Sequence, residues 1–326
     1  MQNKESQEIL RIIPSIDKIL QWQEIQKYQD HIHHDYLVAV LRDSVDEYRR
    51  QVIEGKSFVL DDLKKILIND LEELTQHYFT YAINGIGIVL HTGLGRAPFS
   101  TGIADIMRSV SAAYSRLQID AEGKRADRYK KISRLLNILT GAEAGIVVNN
   151  NAAATMLILN AVAKGKEVIV SRGQLIEIGG SFRIPDVMAQ SGAIMREIGT
   201  TNRTHLKDYE GAINENTGAI IRVHQSNYTI SGFTKEVPLE DLVMLGKKYR
   251  IPVIDDLGSG ALIDFSKYGL PKEPLIQDSV KAGADIICFS GDKLIGGPQC
   301  GIIIGKRSTI EQIKKNPLTR ALRCDK

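Results

Sequence analysis

At 326 residues, with 42 Lys+Arg against 39 Asp+Glu and a net charge of +3, the chain is long enough for roughly two domains and too near neutral for a global nucleic-acid footprint, although a local basic patch stays open. Its three cysteines (Cys288, Cys300 and Cys324) are scattered and odd in number, which argues against both a disulfide framework and a zinc site. The polar start after Met1 and the lack of a bilayer-length apolar run predict neither signal peptide nor membrane span, and hence a cytoplasmic, reducing setting.

Residues 1–80 differ in texture from the rest. They are rich in Glu, Gln, Lys, Ile and Leu and contain no glycine before Gly55. Leu60, Leu63, Ile66, Leu67, Leu71 and Leu74 recur at helical spacing with charges between them, and Asp61 and Asp62 suit the positive end of that helix. The pattern predicts a small helical domain over 1–80. His31, His33 and His34 lack a further ligand set and read as exposed histidines, so no metal site is expected.

From Tyr81 the chain turns glycine-rich, and short apolar runs alternate with helical patterns. Strands are predicted at 144–148, 167–171, 193–198, 219–223, 252–254 and 286–289, and helices, for instance, at 152–163 and 239–249. Such alternation predicts an α/β domain over 81–326 with a mainly parallel sheet. Ligands in these sheets sit beyond the carboxyl ends of the strands, and several polar clusters of this chain follow a strand directly.

In chain order, Arg96 comes first, in the Gly-flanked turn His91-Thr92-Gly93-Leu94-Gly95-Arg96. Next, Asn149-Asn150-Asn151-Ala152-Ala153-Ala154 opens a helix after a strand; Asn151, Ala152 and Ala153 are candidates to cradle a phosphate at a helix N-terminus, against the plainer reading of an Asn-capped helix. Gly199 to Thr204 follows another strand, and His224, Ser226 and Asn227 another, where they are placed to orient a ring or a substrate. Asp255 and Asp256 end the next strand. A carboxylate there can keep the pyridine nitrogen of pyridoxal phosphate (PLP) protonated. Alternation lets only one of the two face the site; Asp255 is preferred and Asp256 is the alternative. Finally, Ser290-Gly291-Asp292-Lys293 joins an apolar strand to a Gly-Gly-Pro turn. A lysine in an apolar setting has its ammonium form disfavoured and can become the amine that forms a Schiff base with PLP, with Ser290 placed to help hold the cofactor phosphate. Arg320 and Arg323, three apart, would share a helix face and suit an oxyanion. Solvated surface charge is the bland reading of both.

The ordered set resembles bacterial selenocysteine synthase, a family of PLP-dependent transferases with the aspartate-aminotransferase-like, type I fold. The likeness runs from Arg11-Ile12-Ile13-Pro14-Ser15-Ile16-Asp17-Lys18 through Leu139-Thr140-Gly141-Ala142-Glu143, the Asn-Asn-Asn-Ala-Ala-Ala turn and the long stretch from Arg172 to Asp186. It continues through Gly199-Thr200-Thr201-Asn202-Arg203-Thr204-His205 and Asp256-Leu257-Gly258-Ser259-Gly260 to Ser290-Gly291-Asp292-Lys293. The resemblance implies that Lys293 carries the PLP, that Arg96, Arg320 and Arg323 bind selenophosphate, and that serine esterified to tRNA(Sec) becomes selenocysteine through an aminoacrylyl intermediate. It also implies tRNA recognition by the helical domain, a homodecamer, and a small C-terminal domain beyond Lys326. Gly93 stands where the family pattern has Asn, Gln174 where it has Glu, and Lys124-Arg125-Ala126-Asp127-Arg128-Tyr129 replaces Arg-Gly-Ser-Arg-Tyr. Two rival readings are an ammonia-lyase-like PLP enzyme acting on a small amino sugar phosphate, and a non-catalytic subunit that binds tRNA or joins a longer chain.

Overall fold

Two compact units make up the chain, Met1–Ile83 and Asn84–Lys326. The computed structural model describes residues 12–55, 57–76, 79–178 and 182–326. Arg11 of the first quoted segment, and Gly179, Gly180 and Ser181 within the stretch from Arg172 to Asp186, lie outside the described residues.

The first unit is helical: α1 (Ile16–Ile19), α2 (Gln23–Gln29), α3 (His34–Ile53) and α4 (Leu60–Thr75). The periodic leucines of α4 divide as a helix requires. Leu63, Leu67 and Leu71 are fully buried against Leu37, Leu41, Val45 and Tyr48 of α3, while Leu60 and Leu74 at the helix ends are exposed. Each buried leucine contributes about 2 kcal/mol. Across the α3–α4 contact Ser44 Oγ donates to Asp70 Oδ2 at 2.5 Å, so the partly buried carboxylate keeps a donor.

The second unit begins with an irregular stretch that holds α5 (Thr101–Ser111), followed by α6 (Lys130–Thr140). A seven-stranded sheet follows: β1 (Ala144–Val148), β2 (Glu167–Ser171), β5 (Ile194–Ile198), β6 (Thr217–Val223), β7 (Val253–Gly258), β8 (Ile286–Ser290) and β9 (Gly301–Gly305), in the spatial order β1-β9-β8-β7-β6-β2-β5. A short hairpin, β3 (Glu177–Ile178) and β4 (Phe182–Arg183), stands apart from it. Only β9 runs antiparallel to its neighbours; β5, β2, β6, β7 and β8 are parallel. The inner parallel strands β2, β6 and β8 read as nearly continuous apolar runs because both faces are covered, whereas the edge strand β5 is mostly exposed. On one face α7 (Asn151–Ala163), α8 (Ile184–Gln190) and α12 (Arg307–Lys315) bury Ile254, Ile286 and Cys288. On the other, α6, α9 (Leu206–Ala212), α10 (Leu239–Tyr249) and α11 (Ile276–Ala282) bury Ile220, Val253 and Phe289. A short α13 (Leu318–Ala321) ends the unit, and Asn149 N–H donates to Leu322 O at 2.8 Å beside the β1–α7 corner.

Gly301 at the start of β9 shows how tightly that corner closes. A Cβ there would lie 2.1 Å from Asn150 O, so the strand can approach the start of α7 only without a side chain.

Candidate active site

At the carboxyl ends of β6, β7 and β8 the second unit encloses a cavity of about 300 Å³ whose wall includes Arg96, Asn151, His224, Asp256, Ser290 and Lys293. This is the end at which an open α/β sheet takes its ligands. The β1–α7 turn supplies Asn151, the end of β6 supplies His224, β7 supplies Asp256, and the β8–β9 turn supplies Lys293. Five polar clusters far apart in sequence thus meet at one place.

Lys293 follows β8 on a turn that doubles back, with Gly296 N–H donating to Lys293 O at 3.0 Å and Gly297 N–H to Gly291 O at 2.9 Å. Its ammonium makes no ion pair among the described residues. Burial holds its pKa below the usual lysine value, and the Arg96 guanidinium depresses it further. Arg96 has φ of 64°, a left-handed conformation that costs a non-glycine residue on the order of 1 kcal/mol. Its guanidinium pairs with the Asp292 carboxylate next to Lys293, which fixes the strained turn against the cavity.

The two aspartates on β7 go to opposite faces, and the order of preference read from the sequence is reversed. Asp255 is fully buried away from the cavity. It accepts from Arg222 Nε at 2.6 Å, Arg222 Nη2 at 2.9 Å and Ser279 Oγ at 2.6 Å, so its two oxygens are used in a structural ion pair. Asp256 turns to the α7 face and lines the cavity. Its Oδ1 accepts from Asn151 Nδ2 at 2.8 Å and Gly258 N–H at 3.2 Å, and its Oδ2 from Thr155 Oγ1 at 2.9 Å. Burial pushes the Asp256 carboxyl up from its ordinary value, against the pull of those three donors. Which aspartate faces the site depends on the pleat parity of β7, which the Asp-Asp pair alone does not reveal.

Other expected site residues divide in the same way. Ala152 lines the cavity, whereas Ala153 does not, and its N–H is taken by Asn150 Oδ1 at 2.8 Å as the helix N-cap. The plainer capping reading therefore accounts for Ala153. Arg320 and Arg323 are exposed and absent from the cavity wall, because the buried side of the short α13 is occupied by Thr319, whose Oγ1 donates to Ile313 O at 2.7 Å. Sequence reasoning missed Thr155, one helical turn after Asn151 on the same face of α7. It also missed Asp292 as the partner of Arg96, and Ile178 and Phe182 of the small hairpin as an apolar wall of the cavity.

The cavity fits the expected PLP in two respects. Asn151 Oδ1 and His224 Nδ1 are buried without a hydrogen-bond partner, and both residues line it. Buried polar groups of this kind ordinarily have partners, so a ligand with polar edges suits them. Asp256 is likewise a buried carboxyl without a cationic partner, which suits a ring that carries a proton on nitrogen.

Comparison with known proteins bears on the same residues. A family model described as L-seryl-tRNA selenium transferase matches residues 82–326, and one described as the selenocysteine synthase N-terminal region matches residues 10–49. The chain is 52% identical to L-seryl-tRNA(Sec) selenium transferase from Alkaliphilus metalliredigens over 98% of its own length and 70% of that protein's. It is 50% identical to the protein of the same name from Clostridium botulinum, over 99% and 70% respectively. Among solved structures it is similar to D-glucosaminate-6-phosphate ammonia-lyase, with a TM-score of 0.58 at 20% identity over 72% of this chain and 61% of the other. At that identity the likeness is one of fold.

Proposed function

The chain belongs to the L-seryl-tRNA selenium transferase family, and on that premise we propose that it converts L-seryl-tRNA(Sec) to L-selenocysteinyl-tRNA(Sec), with selenophosphate as selenium donor and PLP as cofactor. The observation that carries the site reading is the meeting of a partly buried lysine of lowered pKa with a buried, cation-free aspartate in one cavity.

When bound, PLP supplies an electron-withdrawing ring that makes the serine α-proton removable and the β-hydroxyl expellable. In this reading Asp256 would keep a proton on the ring nitrogen, and Asn151 and Thr155 hold Asp256 in place. His224 would support the ring, and Ala152 and Ser290 would help hold the cofactor phosphate. Lys293 Nζ would be the amine that holds the cofactor aldehyde. As a free amine Lys293 Nζ would take the serine α-proton, a role that needs an amine neutral near physiological pH. Arg96 is the guanidinium beside Lys293 and the group placed to bind an oxyanion there, in exchange for part of its contact with Asp292.

The helical unit is proposed to recognise the tRNA, supported by the match of residues 10–49 to the family's N-terminal region. A homo-oligomer, in its finer form a decamer, is supported by α5. That helix buries none of its residues, and Ile103, Ile106 and Met107 are exposed, a run of apolar surface that suits a second copy. No helix of the described residues is long and apolar enough to cross a membrane, which accords with a cytoplasmic enzyme.

The test is selenium transfer. Purified chain, PLP, seryl-tRNA(Sec) and radiolabelled selenophosphate are expected to give label in the tRNA-bound amino acid, and Lys293→Ala to abolish it. Cofactor binding without label transfer would overturn the assigned reaction, and failure to retain tRNA(Sec) in a gel shift would overturn the assigned substrate.

A further inference from the structure

Thr155 Oγ1 lies within reach of two acceptors, Asp256 Oδ2 at 2.9 Å and the backbone oxygen of Asn151 at 3.1 Å. A hydroxyl has one hydrogen and two lone-pair sites, so it can donate to only one of them at a time. The other Asp256 oxygen has no such choice, because Asn151 Nδ2 and Gly258 N–H can only donate to Oδ1. A proton on Asp256 must therefore sit on Oδ2, facing Thr155.

We propose that Thr155 is a positioning residue whose hydroxyl serves Asp256 in both protonation states. It donates to Oδ2 of the carboxylate; it accepts from Oδ2–H of the acid while its own hydrogen turns to Asn151 O. Protonation brings one proton from solvent to Oδ2, and the hydroxyl answers it by turning its own hydrogen, with no heavy atom displaced. The carboxyl keeps one orientation toward the cavity whether or not a protonated ring is there to pair with it. The inference rests on the PLP reading for its purpose, although the hydroxyl switch itself does not need the cofactor.

The groups around Asp256 leave this role to Thr155. The Cys288 thiol, in register on β8, is 3.8 Å from Thr155 Oγ1, and burial keeps it protonated. Asp255 on the same strand faces away and is paired with Arg222. His224 and Lys293 share the cavity with Asp256, and Arg96 is held by Asp292. Among the described residues, Thr155 supplies the hydroxyl donor to Oδ2, and the Cys288 thiol is a weaker second donor at the same carboxyl.

Thr155→Val keeps the shape and removes the hydroxyl; Thr155→Ser keeps the hydroxyl. PLP titrated into the full chain is expected to bind about tenfold more weakly to T155V, the loss of one hydrogen bond to a charged group, and about as tightly to T155S as to wild type. In the cofactor-free chain, the infrared carbonyl stretch of a protonated carboxyl, assigned by its absence in Asp256→Asn, is expected to persist about one pH unit higher in T155V, because the carboxylate loses the stronger, charge-assisted bond. Unchanged binding by T155V, or a T155S as weak as T155V, would overturn the role. If T155V fails to fold by circular dichroism, Thr155→Ala is measured in its place. Wild-type chain that takes up no PLP would overturn the cofactor reading instead, leaving the infrared titration to decide the switch.

Discussion

Adjacent aspartates on β7 face opposite ways, and substitution should separate the roles proposed for them. Asp255→Asn breaks a buried, doubly hydrogen-bonded pair and strands the Arg222 charge. It is expected to cost about 3–5 kcal/mol of stability in urea unfolding, while the folded fraction still takes up PLP. Asp256→Asn should leave stability nearly unchanged, since Asn can still meet Asn151 and Thr155. It should lower turnover about 10²–10³-fold, because no charge then holds the ring proton. The opposite pattern, with Asp255→Asn stable and inactive, would return the cofactor role to Asp255. Lys293 and Asp256 are thus a matched pair, in which burial leaves more of the amine unprotonated and makes the carboxyl a weaker acid unless a cation arrives.

Among the elements, α7 enters the site twice, because its first turn presents Asn151 and Ala152 to the cavity and its second presents Thr155 to Asp256. Asn150→Ala removes the cap on Ala153 N–H and is expected to lower stability by about 1 kcal/mol. It should also weaken PLP binding, measured by absorbance, since the same turn forms the cavity wall. Much of this was legible in the sequence: the apolar run at 144–148 and the small residues after Asn151 announce a strand, a corner and a helix. Lys293 was legible for the same reason, standing between an apolar run and a Gly-Gly turn. Three features were not. The parity of β7 is fixed by which helices cover each face, so Asp255 and Asp256 are equivalent until α7 is placed. The direction of Arg320 and Arg323 depends on how Thr319 anchors α13. The strand at Gly301–Gly305 went unread although Ile302, Ile303 and Ile304 form an apolar run between glycines. Its reversed direction breaks the strand-helix alternation that guided the rest of the reading.

For the whole molecule, the two units are built separately, with recognition proposed for the first and chemistry for the second. The helical unit has its own core in Leu37, Leu41, Leu63 and Leu67, and the α/β unit holds every residue of the cavity. The unburied apolar face of α5 predicts association: Ile106→Asp is expected to lower the molar mass measured by light scattering while helicity is kept, and an unchanged mass would remove α5 from the interface. The central claim is that one amine, Lys293, holds the cofactor of a family transferase. Borohydride reduction of the PLP-loaded chain followed by peptide mass mapping tests it most directly. A single pyridoxyl-modified peptide containing Lys293 is expected, and none in Lys293→Ala. Modification at another lysine, with Lys293 unmodified, would contradict it.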